Sequence, residues 1–292
     1  MSDIPFGEQY IHDDPFKKQA RLHQSRFRAK VLKVPCREYG SWLLEEDGRR
    51  LVAYFDGLGV REAKQARYPG YSQDRDGDLL RSEHIPFNLF GPLIGRPSLA
   101  KAVLRGALGL ECERVGDIKI EWAPSDKRRY LDDATSFDTI AWFENPVGKK
   151  CAVGIEVKYT EGRYGWHGRE KDRVEDPSST YWTVTRSSGA FADPADPRLG
   201  SDSVRQFWRN HLLGLAMEQH GNVDEFHSLV VYPAGNPHCA EAVPLYRSLL
   251  TEDARERFRG VTFEDYIRAL DGDEEIRRWK AYLETRYLIP EA

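Results

Sequence analysis

Asp138, Glu156 and Lys158 have the residue types and spacing from which a hydrolytic site can be built. The last two end the run Cys151-Ala152-Val153-Gly154-Ile155-Glu156-Val157-Lys158, which begins as a β-strand made for an interior. Side chains alternate along a strand, so Cys151, Val153, Ile155 and Val157 share one apolar face. Ala152, Gly154, Glu156 and Lys158 share the other: two small residues, then two ions about 6 to 7 Å apart. An isolated charge in a low-dielectric interior is very costly, so such ions must be paired or bound to a metal.

An E-x-K string alone is short, and Glu156 and Lys158 can pair with each other or with solvent. Asp138 changes the reading. It lies just inside the strand "SFDTIAWFE", which "NPVGK", a short loop with Pro and Gly, joins to the next. With the turn near residues 145–148, Asp138 falls opposite about residue 155, and a slip of one residue reaches Glu156. Carboxylates on adjacent strands repel unless something positive lies between them. Mg²⁺ takes one or two protein carboxylates together with waters and phosphate oxygens. A lysine one step along can stabilise developing charge or orient an attacking water.

The elements that must position these residues follow from local pattern. "PSLAKAVLRGALGL" predicts a helix with Pro97 near its start, and "DIKIEWAP", "SFDTIAWFE" and "KCAVGIEVKY" predict three strands. Residues 161–202 read as a long polar connection rich in Gly and Pro, a kind of loop that is often functional. "SVRQFWRNHLLGLAMEQHG" predicts a helix capped by Asp202 or Ser203 and stopped at Gly221, with Val204, Phe207, Trp208, His211, Leu212 and Leu215 on its buried face. "EFHSLVVYP" is a fourth strand, and helical patterns at about 239–250, 262–270 and 273–287 close the chain. Upstream, "FKKQARLHQSRFRAKVL" predicts a polar helix, either solvated and packed on the main body or basic and turned toward phosphates. "SWLLEEDGRRLVAYFDG" reads as a hairpin turning at Asp47-Gly48, and Pro86 breaks any helix in "RSEHIPFNLF".

Asp138, 17 residues, then Glu156-Val157-Lys158 resembles the D…(D/E)-x-K signature of the PD-(D/E)XK nuclease superfamily, with Phe137 in place of its proline. The order of elements is similar to that superfamily's restriction-endonuclease-like α-β-β-β-α-β core: an α/β fold whose mixed central sheet is flanked by helices. The likeness covers residues 82–235, leaving residues 1–81 as an N-terminal extension of helix and hairpin and residues 236–292 as C-terminal helices. It implies that Asp138, Glu156 and the main-chain carbonyl of Val157 hold Mg²⁺ or Mn²⁺ and that Lys158 completes the site. It further implies a catalytic-site role for Glu83, as the glutamate before the first core strand, and for Gln206 on the helix after the third. Asn210 stands where the family's tyrosine is expected. The activity implied is hydrolysis of phosphodiester bonds in nucleic acid, foremost DNA; a homodimer is compatible with it.

Other residues read less specifically. Arg209 is a phosphate or site-supporting contact by its spacing from Gln206. His167, Arg169 and Lys171, with Arg163, Tyr164 and Trp166, form a basic, aromatic patch suited to phosphates and bases, or else a mobile polar loop. Asp132 and Asp133 cap a turn or support the metal from behind, and His211 is a hydrogen-bonded core histidine.

The bulk numbers set bounds. The 292 residues are 40% hydrophobic and 31% charged, which is ordinary for a globular protein. A formal charge of −4 gives no global basic signature for nucleic acid, although an enzyme needs only a local one. Cys36, Cys112, Cys151 and Cys239 lie far apart without a CxxC pair, which fits a reducing cytoplasm better than a disulfide framework or structural zinc. The N-terminus lacks a basic start followed by an apolar run, and no stretch approaches the roughly 20 apolar residues of a membrane span. Two rivals stay open: a catalytically inactive nucleic-acid-binding relative, and a protein-interaction domain with a structural Glu156–Lys158 pair.

Overall fold

The computed structural model describes residues 5–163 and 165–290; Tyr164 of the basic, aromatic patch lies outside the described residues. The chain opens with α1 (Pro15–Phe27), α2 (Glu45–Arg49), α3 (Val60–Arg67), α4 (Ile85–Phe90) and α5 (Pro97–Gly106). Three strands follow, β1 (Arg114–Trp122), β2 (Phe137–Glu144) and β3 (Lys150–Val157), then α6 (Glu170–Glu175), α7 (Thr180–Ser188) and α8 (Arg205–Gln219). After β4 (Glu225–Tyr232) come α9 (Pro237–Ser248), α10 (Glu252–Glu256), β5 (Phe258–Thr262), α11 (Phe263–Arg268) and α12 (Glu274–Tyr287).

The strands form one mixed sheet in the order β1-β2-β3-β4-β5. Antiparallel pairing joins β1, β2 and β3; parallel pairing joins β3, β4 and β5. A tight turn makes the antiparallel half possible: the Asn145 side-chain oxygen accepts the amides of Val147 (3.1 Å) and Lys149 (2.9 Å), and Gly148 takes a φ of 82°. Parallel neighbours need crossovers, and α8 and α9 supply them.

Alternation along β3 divides the interior. Cys151, Val153, Ile155 and Val157 join one hydrophobic cluster with Leu229, Val231 and residues of α4, α5, α11 and α12. Ala152 faces the second cluster, built on α8 through Phe207, Trp208, Leu212 and Leu215. Small residues let α8 lie close: a Cβ on Gly154 would stand 2.6 Å from the Phe137 ring, and one on Gly214 would collide with Phe226. That approach carries the first turn of α8 to the charged end of β3.

Several expectations are corrected. Asp47-Gly48 lies inside α2 instead of turning a hairpin. Pro86 occupies the first turn of α4, where a missing amide hydrogen breaks no helical bond, so it starts the helix that it was expected to prevent. Residues 161–202 are no plain loop, because α6 and α7 form within them. No side chain caps α8, whose N-cap is Val204; Asp202 instead takes the buried Arg205 guanidinium at 2.7 Å. The edge strand β5 went unread because it is five residues long and has exposed Arg259 and Gly260 at its centre. Helix α1 packs on the main body, yet Arg21, Gln24 and Ser25 on it are buried rather than solvated, as is the following Arg28. Gln24 Nε2 donates to the Tyr159 hydroxyl (2.8 Å) and the Arg286 carbonyl (2.6 Å), so the N-terminal helix braces the residue after Lys158.

Candidate active site

Three adjacent strands bring three carboxylates into one row. Pairing of Thr139 with Ile155, carried one step further, sets Asp138 across from Glu156, one residue from the position estimated from the turn. Ile120 pairs with Thr139 and Trp122 with Phe137, which sets Glu121 of β1 across from Asp138. Glu121 holds a left-handed φ of 55°, a strained backbone for a residue with a side chain. Its carbonyl accepts the Arg67 guanidinium at 2.9 and 3.1 Å, and Tyr68 Oη reaches its carboxylate at 3.4 Å. Sequence reading missed Glu121, whose place across from Asp138 is set by the β1–β2 register.

Glu156 and Lys158 are both buried, and they pair at 2.7 Å. Gln206, in the first turn of α8, donates through Nε2 to Glu156 and accepts from Lys158 Nζ through Oε1 at 2.6 Å. Asn210, one turn on, donates to the other Glu156 oxygen at 2.5 Å. The residue standing in place of the family's tyrosine therefore works directly on the glutamate. Asp138 Oδ2 accepts the Val157 amide at 2.6 Å, locking the two strands together at the site.

Charge in the row is only partly met. Burial, followed by the charges of Glu156 and Glu121, pushes the Asp138 carboxyl well above its usual range, against Lys158 and the Val157 amide. Burial and Glu156 likewise push Glu121 up to about 7. Burial works against the Lys158 ammonium, but Glu156, Glu161 and Asp138 outweigh it and keep the lysine charged. Oxygen donors with excess negative charge suit a hard divalent cation. Asp138, Glu156 and the Val157 carbonyl could hold one. Glu121 stands across from Asp138 on the next strand, but the three carboxylates do not all come within 4.8 Å of one another.

The remaining candidates scatter. Glu83, in a short 3₁₀ turn, is paired with Arg81 at 2.5 Å and half exposed; its charge is felt at Glu121, but it does not join the row. Arg209 reaches Glu170 at 2.6 Å and Thr135 Oγ1 at 3.2 Å, bracing α6 against the turn before β2. His167, Arg169 and Arg209 line one cleft of about 280 Å³ with Asp133, while Lys171 lies outside it, 3.6 Å from Glu175. The Trp166 face is covered by the Arg205 guanidinium, 3.6 Å from the ring centroid. Asp133 accepts from Thr135 and from the Tyr181 hydroxyl, and the Asp132 carbonyl accepts from Arg173. His211 Nδ1 meets the Tyr246 hydroxyl at 2.9 Å, and burial, with Arg257, lowers its pKa to about 3.

At the opposite end of β3 and β4, ligand atoms of Cys151, Glu225 and His227 lie within 4.8 Å of one another. Lys149 already holds Glu225 there, at 3.2 Å. All four cysteines are free thiols. No helix among the described residues is long and apolar enough to cross a membrane.

Comparison with curated proteins and with solved structures gives no match. A family model described as PD-(D/E)XK nuclease superfamily matches residues 11–289. That span includes the flanks as well as the sheet with its Asp138, Glu156 and Lys158. The chain belongs to the PD-(D/E)XK nuclease superfamily.

Proposed function

We propose that this protein is an active divalent-metal-dependent nuclease that hydrolyses phosphodiester bonds, with DNA as its foremost substrate and Mg²⁺ or Mn²⁺ as its cofactor. One observation carries the reading: Glu121, Asp138 and Glu156 form a cross-strand row whose negative charge Lys158 only partly offsets. A purely structural Glu156–Lys158 pair needs no Asp138 beside it. Family membership supports the same chemistry.

A bound divalent ion would screen the scissile phosphate and lower the pKa of a coordinated water toward neutrality. Asp138 and Glu156 would hold it, with Val157 contributing its carbonyl. Lys158, kept charged by its acidic neighbours, stabilises the negative charge that builds on phosphate oxygens as water attacks phosphorus and the leaving oxygen departs. Gln206 and Asn210 fix the Glu156 carboxylate, and Gln206 fixes Lys158, so both groups are oriented before substrate arrives. Glu121 offers a further acceptor for a proton or a second ion.

The test is cleavage of circular, linear and single-stranded DNA, and of RNA, with and without Mg²⁺ or Mn²⁺. Wild type should cleave only with metal, and Asp138→Ala should not cleave. Equal activity of the two proteins refutes the assignment.

A further inference from the structure

Beside the candidate active site, the N-terminal extension builds a cleft of about 400 Å³, within the range that holds a small ligand. Thr160 and Glu161 form its lip. Two residues of chain span at most about 7 Å, so Thr160 lies no more than that from the Lys158 backbone. The lip of the cleft thus lies two residues along the chain from Lys158.

Its far wall is aromatic. Tyr39 packs edge-on between Tyr10, at 5.6 Å and 78°, and Trp42, at 5.0 Å and 89°. Tyr10 is 40% exposed. Beneath them Arg21 lies 5.3 Å from the Tyr39 centroid, anchored by Asp13 at 2.5 and 3.2 Å and by Ser41 at 2.9 Å. The acids of the lining are occupied from behind by main-chain amides: Asp14 by Lys17 at 2.9 Å, Asp78 by Leu80 at 3.1 Å, Glu161 by Ser82 at 3.1 Å and Tyr159 at 2.7 Å. Lys17 and Arg81 keep 38% and 47% of their side-chain surface open.

The exposed Tyr10 ring, backed by half-buried Tyr39 and Trp42, offers a stacking surface, with Lys17 and the Glu83-paired Arg81 at the rim. Stacking surfaces and cations of this kind recognise an unpaired base and its phosphate. We propose that this cleft receives a nucleobase of single-stranded DNA, the nucleotide next to the one cleaved. The assignment rests on the reading of Asp138 and Glu156 as the cleavage site. It gives the extension a substrate role: selecting strands that are already unpaired.

Fluorescence anisotropy of a short labelled single-stranded oligodeoxynucleotide, in the Asp138→Asn background, tests it. Tyr10→Ala should weaken binding about ten-fold, since stacking on one aromatic ring contributes that much. Tyr10→Phe should restore binding, and an abasic strand should be indifferent to the substitution. Unchanged affinity in both Tyr10→Ala and Trp42→Ala overturns the proposal, as does an equal loss on intact and abasic strands. Wild-type cleavage is scored separately. Cleavage with aromatic-independent binding sinks the cleft alone, whereas aromatic-dependent binding without cleavage supports the cleft and sinks the nuclease reading.

Discussion

Two aspartates in this molecule, Asp76 buried and Asp138 half-buried, are treated in opposite ways. Asp76, in the N-terminal extension, receives the Tyr54 hydroxyl at 2.6 Å, the Ser72 amide at 2.8 Å and Arg75 at 2.9 Å, with Lys64 at 3.3 Å. Burial alone would raise its pKa, yet these donors outweigh burial and lower it. Asp138 has the Val157 amide and, further off, a lysine already committed to Glu156. Burial and two neighbouring carboxylates raise its pKa instead. A carboxylate kept for structure is satisfied by the protein. On the proposed function, Asp138 is left short so that a bound cation can supply the missing positive charge.

The largest expected effect breaks that contrast directly. Asp138→Ala should reduce cleavage by at least about a thousand-fold, the equivalent of several kcal/mol of transition-state stabilisation. Without metal, its melting temperature should stay close to wild type, because removing a repelled carboxylate offsets the loss of the acceptor for the Val157 amide. Asp76→Ala should do the reverse: it strands Lys64 and Arg75 and costs about 3–5 kcal/mol of stability. Thermal melts in EDTA read both, and a comparable loss of stability in the two variants would erase the distinction.

Metal itself is the next lever. Mg²⁺ at 100 times its Kd should stabilise wild type by about 2.7 kcal/mol. Asp138→Ala should show no such gain, whereas Asp76→Ala, if it folds, should keep it. Calorimetric titration gives the Kd needed for the comparison.

Smaller effects should come from the residues that orient the site. Gln206→Ala and Asn210→Ala should each lower kcat by about 10- to 100-fold with little change in fold, since each removes a donor to Glu156. Arg209→Ala, whose partners include Glu170, Thr135 and Asp133, should leave kcat within a few-fold of wild type and act on stability instead. A kcat loss for Arg209→Ala as large as that for Gln206→Ala would move Arg209 into the site.

These residues also show what a single sequence discloses. Strand alternation and a short turn were enough to bring Asp138 within one residue of its partner, because hairpin register is set locally. Gln206 was reached only through the family resemblance, which implies a glutamine on the helix after the third strand; its position off the apolar stripe of α8 is compatible with that but does not single it out. Glu121 was not reached at all, because its role depends on the β1–β2 register and on a left-handed backbone, neither of which leaves a local signature. Asn210 was seen only as a departure from a family pattern, although its amide reaches the same carboxylate. The aromatic cleft was equally hidden. It joins Tyr10, Tyr39 and Trp42 to Glu161, residues far apart in the chain.

The last comparison is read from pH, and the two carboxylate environments give it opposite signs. Asp76 has a lowered pKa, so its stabilising contribution is present above the ordinary aspartate value of 3.8 and is lost as pH falls through the folded value. Glu121 has a pKa raised from 4.5 to about 7. Between those values the unfolded chain has released the proton that the folded chain still holds, so stability falls as pH rises. Asp138 adds to the same slope. In EDTA the melting temperature should therefore peak near the lower end of that window and decline toward pH 7. Glu121→Gln should flatten the decline, and saturating Mg²⁺ should reverse it, because the metal needs the ionised carboxylates. A metal-free profile that climbs steadily to pH 7 in both wild type and Glu121→Gln would mean that the row already carries enough positive charge, and the need for a cation would go with it.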